Sequence, residues 1–424
     1  MRTGLDTSVL RTAGTVARRH LTPPQEGAPI DVDDGPAPGM SDQQVTAIRD
    51  VDSAERLVPE WTELVEDSDQ DCLFLTPEWM LAWWRHFERP GWTLHLVTVR
   101  RNGRLLGLAP LCSRPSHLSY LAMFSVTQFL ASGLVGSDYL DVILRRGEEA
   151  SVQRALSGYL ASIQPLLTLS HLPALSPGFD GVKQRLEAAG WHTQTCLVET
   201  CPYIDLCGHD WESYLDTLSA SHRYNLHRRL KQLRRDGTLT FDAVEKEDHR
   251  RQALADLLRL HRLSWHGRGG SDAMQTNQEQ AFHETITQTA LARGWLRLFL
   301  LKLDGRPIAG LYGFRRGPRF YFYQSGFDPA WRHRSVGLVT MGLAIQEALA
   351  EGAEEFDLLH GTESYKFHWA KHTRDLIKIR LLPPSWRGRV ARSIAGAEEG
   401  AKRLARRCVP ERLLEPLIRR RRCA

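Results

Sequence analysis

The sequence predicts an α/β (α+β) protein of two lobes, each with a mixed, mostly antiparallel sheet flanked by helices. The chain has 424 residues, which is too long for one ordinary hydrophobic core. Hydrophobic residues make up 42% and charged residues 25%, a balance that excludes a mostly disordered chain. Both halves follow the order helix, hairpin, strand and helix.

Composition divides the chain into four predicted regions. Residues 1–44 are rich in Gly, Pro, Asp and Thr and lack apolar periodicity, so we expect a disordered extension there. The two lobes are expected over residues 45–204 and 205–382. Residues 383–424 place apolar residues between arginines and are predicted to form a basic helical tail.

The first lobe is predicted from apolar spacing and one turn. Asn102-Gly103 between two apolar runs is a strong hairpin signal. The tryptophan-rich helix before it is expected to pack in the core. The predicted elements are strand Val45–Ile48, helices Ala54–Val65 and Pro77–Phe87, hairpin strands Leu94–Val99 and Leu105–Pro110, strand Tyr139–Leu144, and helices Ala150–Ile163 and Val182–Ala189.

The second lobe contains the most regular stretch of the chain. Tight turns at Asp304-Gly305 and Gly317-Pro318 separate three apolar runs, which predicts an antiparallel meander. Its strands are Trp295–Leu303, Ile308–Arg315 and Arg319–Gly326. The other predicted elements are helices Trp211–Leu218, Ser221–Arg235, Arg251–Trp265, Gln278–Ala292 and Gly337–Glu351, and strands Thr238–Val244, Glu355–His360 and Leu376–Leu382.

Positive charge is concentrated in the tail. The net charge is +5, but the residues from Leu381 to Ala424 include 12 Arg or Lys and 4 acidic residues, a net +8. The remaining 380 residues then carry −3, so we do not expect a nucleic-acid-binding body.

Cysteine usage and hydropathy indicate where the protein works. Seven cysteines without a C-x-x-C pair do not form a disulfide framework in so long a chain, which favours the reducing cytoplasm. No run of about 18 apolar residues is present, so no membrane-spanning helix is expected.

A candidate phosphate site follows the meander. A helix that begins soon after a strand offers unpaired N–H groups to an anion. Ser335 and Gly337 are small enough for a pyrophosphate to approach the backbone closely, and Arg332 and Arg334 add positive charge. The small residues have a simpler explanation as well, which is that they begin a helix.

This order resembles the GNAT superfamily of N-acyltransferases. The cofactor motif of that family is Arg/Gln-x-x-Gly-x-Gly/Ala, and the matching stretch here is Arg334-Ser335-Val336-Gly337-Leu338-Val339, where Val339 replaces the final small residue. The resemblance implies that acyl-CoA, most simply acetyl-CoA, binds at Arg334, Ser335, Val336, Gly337 and Leu338. It also implies a role for the backbone of the preceding strand, at Gly326.

Two more segments are similar to Fem-type peptidyltransferases. They are Ser221-His222-Arg223-Tyr224-Asn225-Leu226 and the stretch from Phe356 to Phe367, which also resembles CelD-like proteins with a BioF2-like acetyltransferase domain. The resemblance spans roughly residues 50–382 and is strongest over 205–370. It implies two GNAT-like lobes, of which the first is degenerate and helps to bind the acceptor.

The resemblance also implies catalytic and substrate-binding residues. Tyr365 matches a tyrosine that protonates the leaving group in many GNAT enzymes, and Lys366 matches a lysine beside the reacting groups of Fem-type enzymes. Arg223 and Tyr224 match positions that hold the acceptor. A packed tyrosine ring and solvated charges are the structural alternatives for these residues.

The nearest carboxylates for general-base work are Asp357 and Glu363. His368 and His372 are spaced i, i+4, with His360 close by, but no zinc-like third ligand or H-E-x-x-H motif accompanies them. We therefore expect no metal.

The predicted function is transfer of an acyl group from acyl-CoA to an amine, on a small molecule or nucleotide sugar of polysaccharide or cell-envelope synthesis. One alternative is a Fem-like transferase that uses aminoacyl-tRNA. Another is a non-catalytic scaffold held by its tail, residues 383–424, at the inner face of an anionic membrane. Both enzyme hypotheses require strands 319–326 and 355–360 to part and leave a gap for the donor.

Overall fold

The computed structural model describes residues 43–115, 125–133, 135–265, 274–394 and 396–397. The extension predicted over 1–44 lies outside these residues, except for Gln43 and Gln44, which begin the first strand. The tail predicted over 383–424 lies outside them from residue 398 onward. Its described part contains a helix that begins at residue 386.

Seven strands and five helices are described in the first half of the chain. The strands are β1 Gln43–Ile48, β2 Thr93–Arg101, β3 Arg104–Pro115, β4 Ser125–Phe129, β5 Ile143–Leu144, β6 Leu166–Pro173 and β7 His192–Asp205. The helices are α1 Val51–Arg56, α2 Val58–Glu66, α3 Pro77–Phe87, α4 Glu149–Ile163 and α5 Asp180–Ala188.

Six strands and five helices follow between residues 206 and 382, before the helix that begins at residue 386. The strands are β8 Leu239–Ala243, β9 Leu296–Leu303, β10 Arg306–Arg316, β11 Arg319–Phe327, β12 Glu355–Asp357 and β13 His372–Leu382. The helices are α6 Trp211–Thr217, α7 Ala220–Asp236, α8 Glu247–Trp265, α9 Asn277–Ala292 and α10 Val336–Ala350. Short 3-10 turns cover Leu73–Leu75, Pro329–Arg334 and Lys366–His368.

All thirteen strands belong to one mixed sheet. Its order is β1-β2-β3-β4-β6-β13-β7-β12-β11-β10-β9-β8, and β5 pairs with β3 outside this path. The pairs β11–β12 and β4–β6 are parallel, and the other strand pairs of the described residues are antiparallel. The predicted fold class, a mixed and mostly antiparallel sheet flanked by helices, is confirmed.

The two halves of the chain interleave at the centre of the sheet. The last strand, β13, lies between β6 and β7 and pairs antiparallel with both. Strand β7 in turn pairs with β12. The backbone hydrogen bonds of the sheet therefore continue across the boundary that the sequence predicts near residue 204.

Helices cover both faces of the second half of the sheet. Tyr321 and Phe320 are neighbours in β11, so their side chains point to opposite faces. Tyr321 packs in one cluster with Trp79 and Phe282, from α3 and α9. Phe320 packs in a second cluster with Phe356 and with residues of α6, α7 and α10. The expectation that the tryptophan-rich helix α3 is a core element is confirmed.

The predicted elements differ from the structure where the backbone turns. The strand predicted over Tyr139–Leu144 is reduced to β5, because Tyr139 has a φ of 59°. The strand predicted over Glu355–His360 ends at Asp357, because Leu359 has a φ of 53°. One predicted helix, Ala54–Val65, is two, since the chain breaks at Leu57 just before Pro59.

Three strands were not predicted, and β7 is the longest of them. It has 14 residues, but most of its side chains are half-buried or exposed and mixed in polarity, so they show no alternation. Among the described residues, no helix is long and apolar enough to cross a membrane.

Candidate functional site

Strands β11 and β12 part, as the enzyme hypotheses require. They pair over three residue pairs, from Arg319–Glu355 to Tyr321–Asp357. Beyond them β11 continues to Phe327, whereas the Leu358 N–H donates to the Pro202 carbonyl on the β7 side, at 2.9 Å. The two neighbouring parallel strands therefore diverge at their C-terminal ends, and we call the region between these ends the gap.

The β11 side of the gap contains a bulge. Tyr312 of β10 pairs with Gln324 and Gly313 with Phe322, which leaves Tyr323 as the extra residue. Just beyond it, the Ser325 N–H donates to Gln324 Oε1 at 3.0 Å, and its carbonyl accepts from His261 Nδ1 at 3.0 Å. A ligand that bonded to the Ser325 backbone would therefore replace two side-chain partners.

Gly326, a predicted donor-binding residue, lies directly against α8. A Cβ at this position would come within 2.2 Å of the His261 backbone N and 2.5 Å of its Cα. The absence of a side chain thus has a packing reason, since α8 could not otherwise lie so close to β11. Contact of Gly326 with an acyl donor stays a prediction.

The first turn of α10 is accessible. Ser335 precedes the helix with φ 53° and ψ 44°, and its side chain makes no capping hydrogen bond. Gly337 is exposed, and a Cβ there would have Phe327 Cδ1 at 3.9 Å as its nearest neighbour. The positive end of a helix favours a phosphate, and exposed Arg332 adds charge.

The other predicted residues of this turn differ in exposure. Arg334 Nε lies 2.6 Å from Asp236 Oδ2, so its charge is already paired with the end of α7. Val336 is fully buried and packs with Leu233 of α7, while Leu338 is half-buried. Backbone groups of this turn are therefore better placed for a phosphate than most of its side chains.

Lys366 is buried, with 3% of its surface exposed. Its Nζ donates to the carbonyls of Leu359 at 3.3 Å and His360 at 2.6 Å, and it lies 3.1 Å from Glu363 Oε2. Because three acceptors match the three N–H groups of an ammonium, Lys366 holds the turn after β12. Its predicted part in the chemistry stays a prediction.

Arg223 and Tyr224, the acceptor-binding candidates, lie at the start of α7, beside the 3-10 turn Lys366–His368. His222 stacks on His368 with ring centroids 5.5 Å apart and meets Trp369 edge-on at 4.4 Å. Arg223 is paired with Asp216 at 2.7 Å, and Tyr224 is 66% exposed.

The predicted site residues thus form two groups at the two ends of α7. One group contains Arg223, Tyr224, Lys366 and the 42% exposed Tyr365. The other is the start of α10, tied to the far end of α7 by the pair between Arg334 and Asp236. The 13 residues between Arg223 and Asp236 correspond to about 20 Å of helix.

A pair formed by the buried Asp138 and the half-buried His360 lies at the gap, and the sequence did not indicate it. Asp138 is 0% exposed and accepts two hydrogen bonds from His360, from its backbone N–H at 3.0 Å and its Nδ1 at 2.8 Å. The Asp138 charge raises the pKa of His360 to about 9, against the opposing effect of burial. Burial works against the ionised Asp138, but its contacts with His360 outweigh it and lower the pKa of the carboxyl.

Residues 135–138 bridge the two sides of the gap. The Tyr323 hydroxyl of β11 donates to the Val135 carbonyl. A Cβ on Gly136, whose φ is 58°, would lie 2.8 Å from His360 Cε1. This segment comes from the first half of the chain, so both halves form the site.

The carboxylates that the sequence offers as bases are otherwise engaged. Asp357 accepts from the Leu359 N–H at 2.8 Å, and burial raises the pKa of its carboxyl to about 6. Glu363 is paired with Lys366. Within the described ranges, no group of three or more His, Cys, Asp or Glu side chains is placed to hold a metal ion.

Comparison with known proteins finds one family match, in the second half of the chain. Residues 220–367 match the family model of the acetyltransferase (GNAT) domain. The matched stretch contains α10, β11, β12 and Lys366.

Among solved structures, that of FemX supports the same fold, and two others are similar at lower TM-scores. The crystal structure of FemX has a TM-score of 0.57 at 12% identity, over 79% of this chain and 96% of FemX. A tandem GNAT protein from the clavulanic acid biosynthesis pathway has a TM-score of 0.44 at 14% identity, over 81% of this chain and 100% of that one. L-PGS from Bacillus licheniformis has a TM-score of 0.47 at 13% identity, over 82% and 96%. A search of the curated proteins found no match.

Proposed function

We propose that the protein is an N-acyltransferase that moves an acyl group, most simply acetyl, from acyl-CoA to an amine. The observation that carries this proposal is the parting of β11 and β12 after three residue pairs. Because the two strands are parallel, their C-terminal ends lie at one edge of the sheet. The match to the GNAT domain supports the reaction class.

The start of α10 is the part of the chain that fits the phosphates of such a donor. Within the predicted cofactor turn, residues 335–338, the Val336 and Gly337 N–H groups have the positive end of a 15-residue helix behind them. The Ser335 and Leu338 N–H groups donate to the carbonyls of Arg332 at 2.9 Å and Ser335 at 3.0 Å. Gly337 leaves the approach open, and Arg332 adds charge. When bound, acyl-CoA would supply the activated acyl group, and the gap would receive its thioester end.

The test is CoA binding by calorimetry. We expect Gly337→Glu to weaken binding at least tenfold, because it adds bulk and negative charge at the open first turn. Gly158→Glu is the matched control, since Gly158 is also an exposed helical glycine with nothing within 4 Å of a Cβ. Failure of the wild-type protein to bind CoA and acetyl-CoA, or equal binding by Gly337→Glu, would contradict the proposal.

A second candidate, transfer from aminoacyl-tRNA, is favoured by the charge of α7. This helix carries six Arg or Lys residues and one Asp among its 17 residues. RNA binding through such a helix depends strongly on salt. Thermal stabilisation by charged tRNA but not by acetyl-CoA would favour this candidate, and stabilisation by neither would favour a non-catalytic scaffold.

The acceptor and the tail complete the proposal. We assign a small-molecule or nucleotide-sugar amine of polysaccharide or envelope synthesis to the region of Arg223 and Tyr224. The tail, residues 383–424, is proposed to contact anionic membrane. Cosedimentation with phosphatidylglycerol vesicles, lost when residues 398–424 are removed, tests this contact.

A further inference from the structure

We propose that His360 is the catalytic acid–base of the transfer reaction and that Asp138, from the first half of the chain, is its positioning residue. This inference rests on the proposed acyl transfer. It gives the first half a part in the chemistry, where the sequence predicts a degenerate lobe that only helps to bind the acceptor.

The position of His360 fits this role. It follows the last β12 residue that pairs with β11 by three positions, at the mouth of the gap. Nδ1 is engaged by Asp138, and 39% of the side chain is exposed. Over the described part of the chain, Nε2 has no hydrogen-bond partner, so this nitrogen is available to a substrate.

The pair is held from several sides. The ammonium group of Lys366 binds the His360 carbonyl, and Trp79 Nε1 donates to Ser137 Oγ at 2.9 Å. Tyr323 binds the Val135 carbonyl, three residues before Asp138. These contacts fix both the backbone of His360 and the segment that carries the carboxylate.

The backbone around the pair is strained. Tyr139 and Leu359, the neighbours of Asp138 and His360, have φ values of 59° and 53°. His171 has a φ of 60°, and its ring centroid lies 6.4 Å from that of His360. Left-handed backbone is uncommon outside glycine and persists where the surroundings impose it, often at functional sites.

His360 both accepts and returns the proton that the reaction transfers. Neutral His360 accepts a proton at Nε2 from the attacking amine as the new C–N bond forms. The imidazolium, stabilised by the ionised Asp138, then donates that proton to the leaving sulfur as the C–S bond breaks. The histidine returns to its neutral form, and no further reactant is needed.

Several charges face the imidazole and set its titration. Asp138 and Glu199 of β7 raise the pKa of His360, whereas Lys366 and burial lower it, and the result is about 9. The His171 ring lies beside it, and burial lowers the pKa of His171. The neutral form that accepts the proton therefore increases with pH, so kcat/KM should rise with pH toward about 9.

The experiment follows thiol release from acetyl-CoA, with glucosamine as the amine probe and with water alone. We expect His360→Gln to lower kcat at least 100-fold, the scale of general acid–base catalysis, with CoA affinity unchanged. His249→Gln, at an exposed histidine on α8, is the control and should keep the wild-type rate. A His360→Gln rate equal to wild type would overturn the inference while CoA binding still supports the acyltransferase.

The positioning role of Asp138 needs a separate readout. In Asp138→Asn we expect the pH profile of kcat/KM to move to lower pH, because the charge that raises the pKa of His360 is gone. Ring titration by ¹⁵N NMR, assigned with His360→Gln, should show the same shift without any turnover.

Three further experimental results would each overturn one of the proposals. An ordinary His360 pKa in a wild-type protein that binds CoA would overturn the assignment of the pair. An unchanged pH profile in folded Asp138→Asn, judged by its melting temperature, would do the same. Absence of both CoA binding and thiol release would overturn the proposed function, and the inference with it.

Discussion

Gly326→Ala tests whether glycines in the candidate donor site serve the fold or the ligand. The new Cβ would lie 2.2 Å from the His261 backbone N, 2.5 Å from its Cα and 2.6 Å from the Leu260 carbonyl C. These are backbone atoms in the middle of α8, so no side chain can rotate to relieve the contact. The helix itself must move away from β11.

The expected magnitude follows from a graded series of glycines. Forcing atoms into a packed interior costs about 1–3 kcal/mol, and we place Gly326→Ala at or above the top of that range. Gly310→Ala is milder, because its nearest contacts are the side-chain ends of Leu257 and Leu300 at 3.1 Å. Gly337→Ala has open space and should increase the free energy of unfolding by about 0.5–1 kcal/mol, the helix preference for Ala.

Urea unfolding followed by tryptophan fluorescence measures the series, and calorimetry with CoA accompanies it. The midpoint should fall in Gly326→Ala, change less in Gly310→Ala and rise in Gly337→Ala. A Gly326→Ala protein as stable as wild type, with CoA binding lost, would refute the packing argument and show that this glycine serves the ligand.

The other two predictions concern a buried histidine and Lys366. Burial lowers the pKa of His283 to about 3, so the unfolded state binds a proton below pH 6.5 that the folded state excludes. The free energy of unfolding should therefore fall between pH 6.5 and 3, by up to about 1.4 kcal/mol per pH unit from this residue. In His283→Gln, the difference between the urea midpoints at pH 7.5 and pH 5 should be smaller than in the wild-type protein. An equal difference would contradict the lowered pKa of His283. Lys366→Met removes the donor to the Leu359 and His360 carbonyls and should cost roughly 1–3 kcal/mol and slow thiol release. Glu363→Gln is its control, because it keeps both hydrogen bonds from Lys366 to these carbonyls. Equal melting temperatures for the two variants would show that the two hydrogen bonds do not stabilise the protein.

The meander could be predicted because its signals are local. Gly305 and Gly317 have φ values of 77° and 55°, the turn conformations that their dipeptides predict. The start of α10 follows from small residues after a strand. Strand β7 could not be predicted in the same way, because its partners, β12 and β13, come more than 140 residues later and its own polarity does not alternate.

The Asp–His pair shows the limit of sequence reasoning about the site. Asp138 and His360 are 222 residues apart. In the sequence, His360 stands within the Phe356–Phe367 stretch and close to His368 and His372, and neither context indicates a partner in the first half of the chain. Only the three-dimensional fold brings residues 135–138 to the end of β12.

The position of β13 determines how the protein can be divided. A fragment that ends before His372 lacks β13, so β6 and β7 would each have one unpaired edge. Each edge would expose a row of backbone amides and carbonyls without partners. Conversely, residues 205–382 expressed by themselves carry β13 without β6 and β7, between which it lies, and β12 without β7. The stretch that matches the GNAT domain, residues 220–367, therefore does not contain all the strands of its sheet, and we expect such a fragment to aggregate.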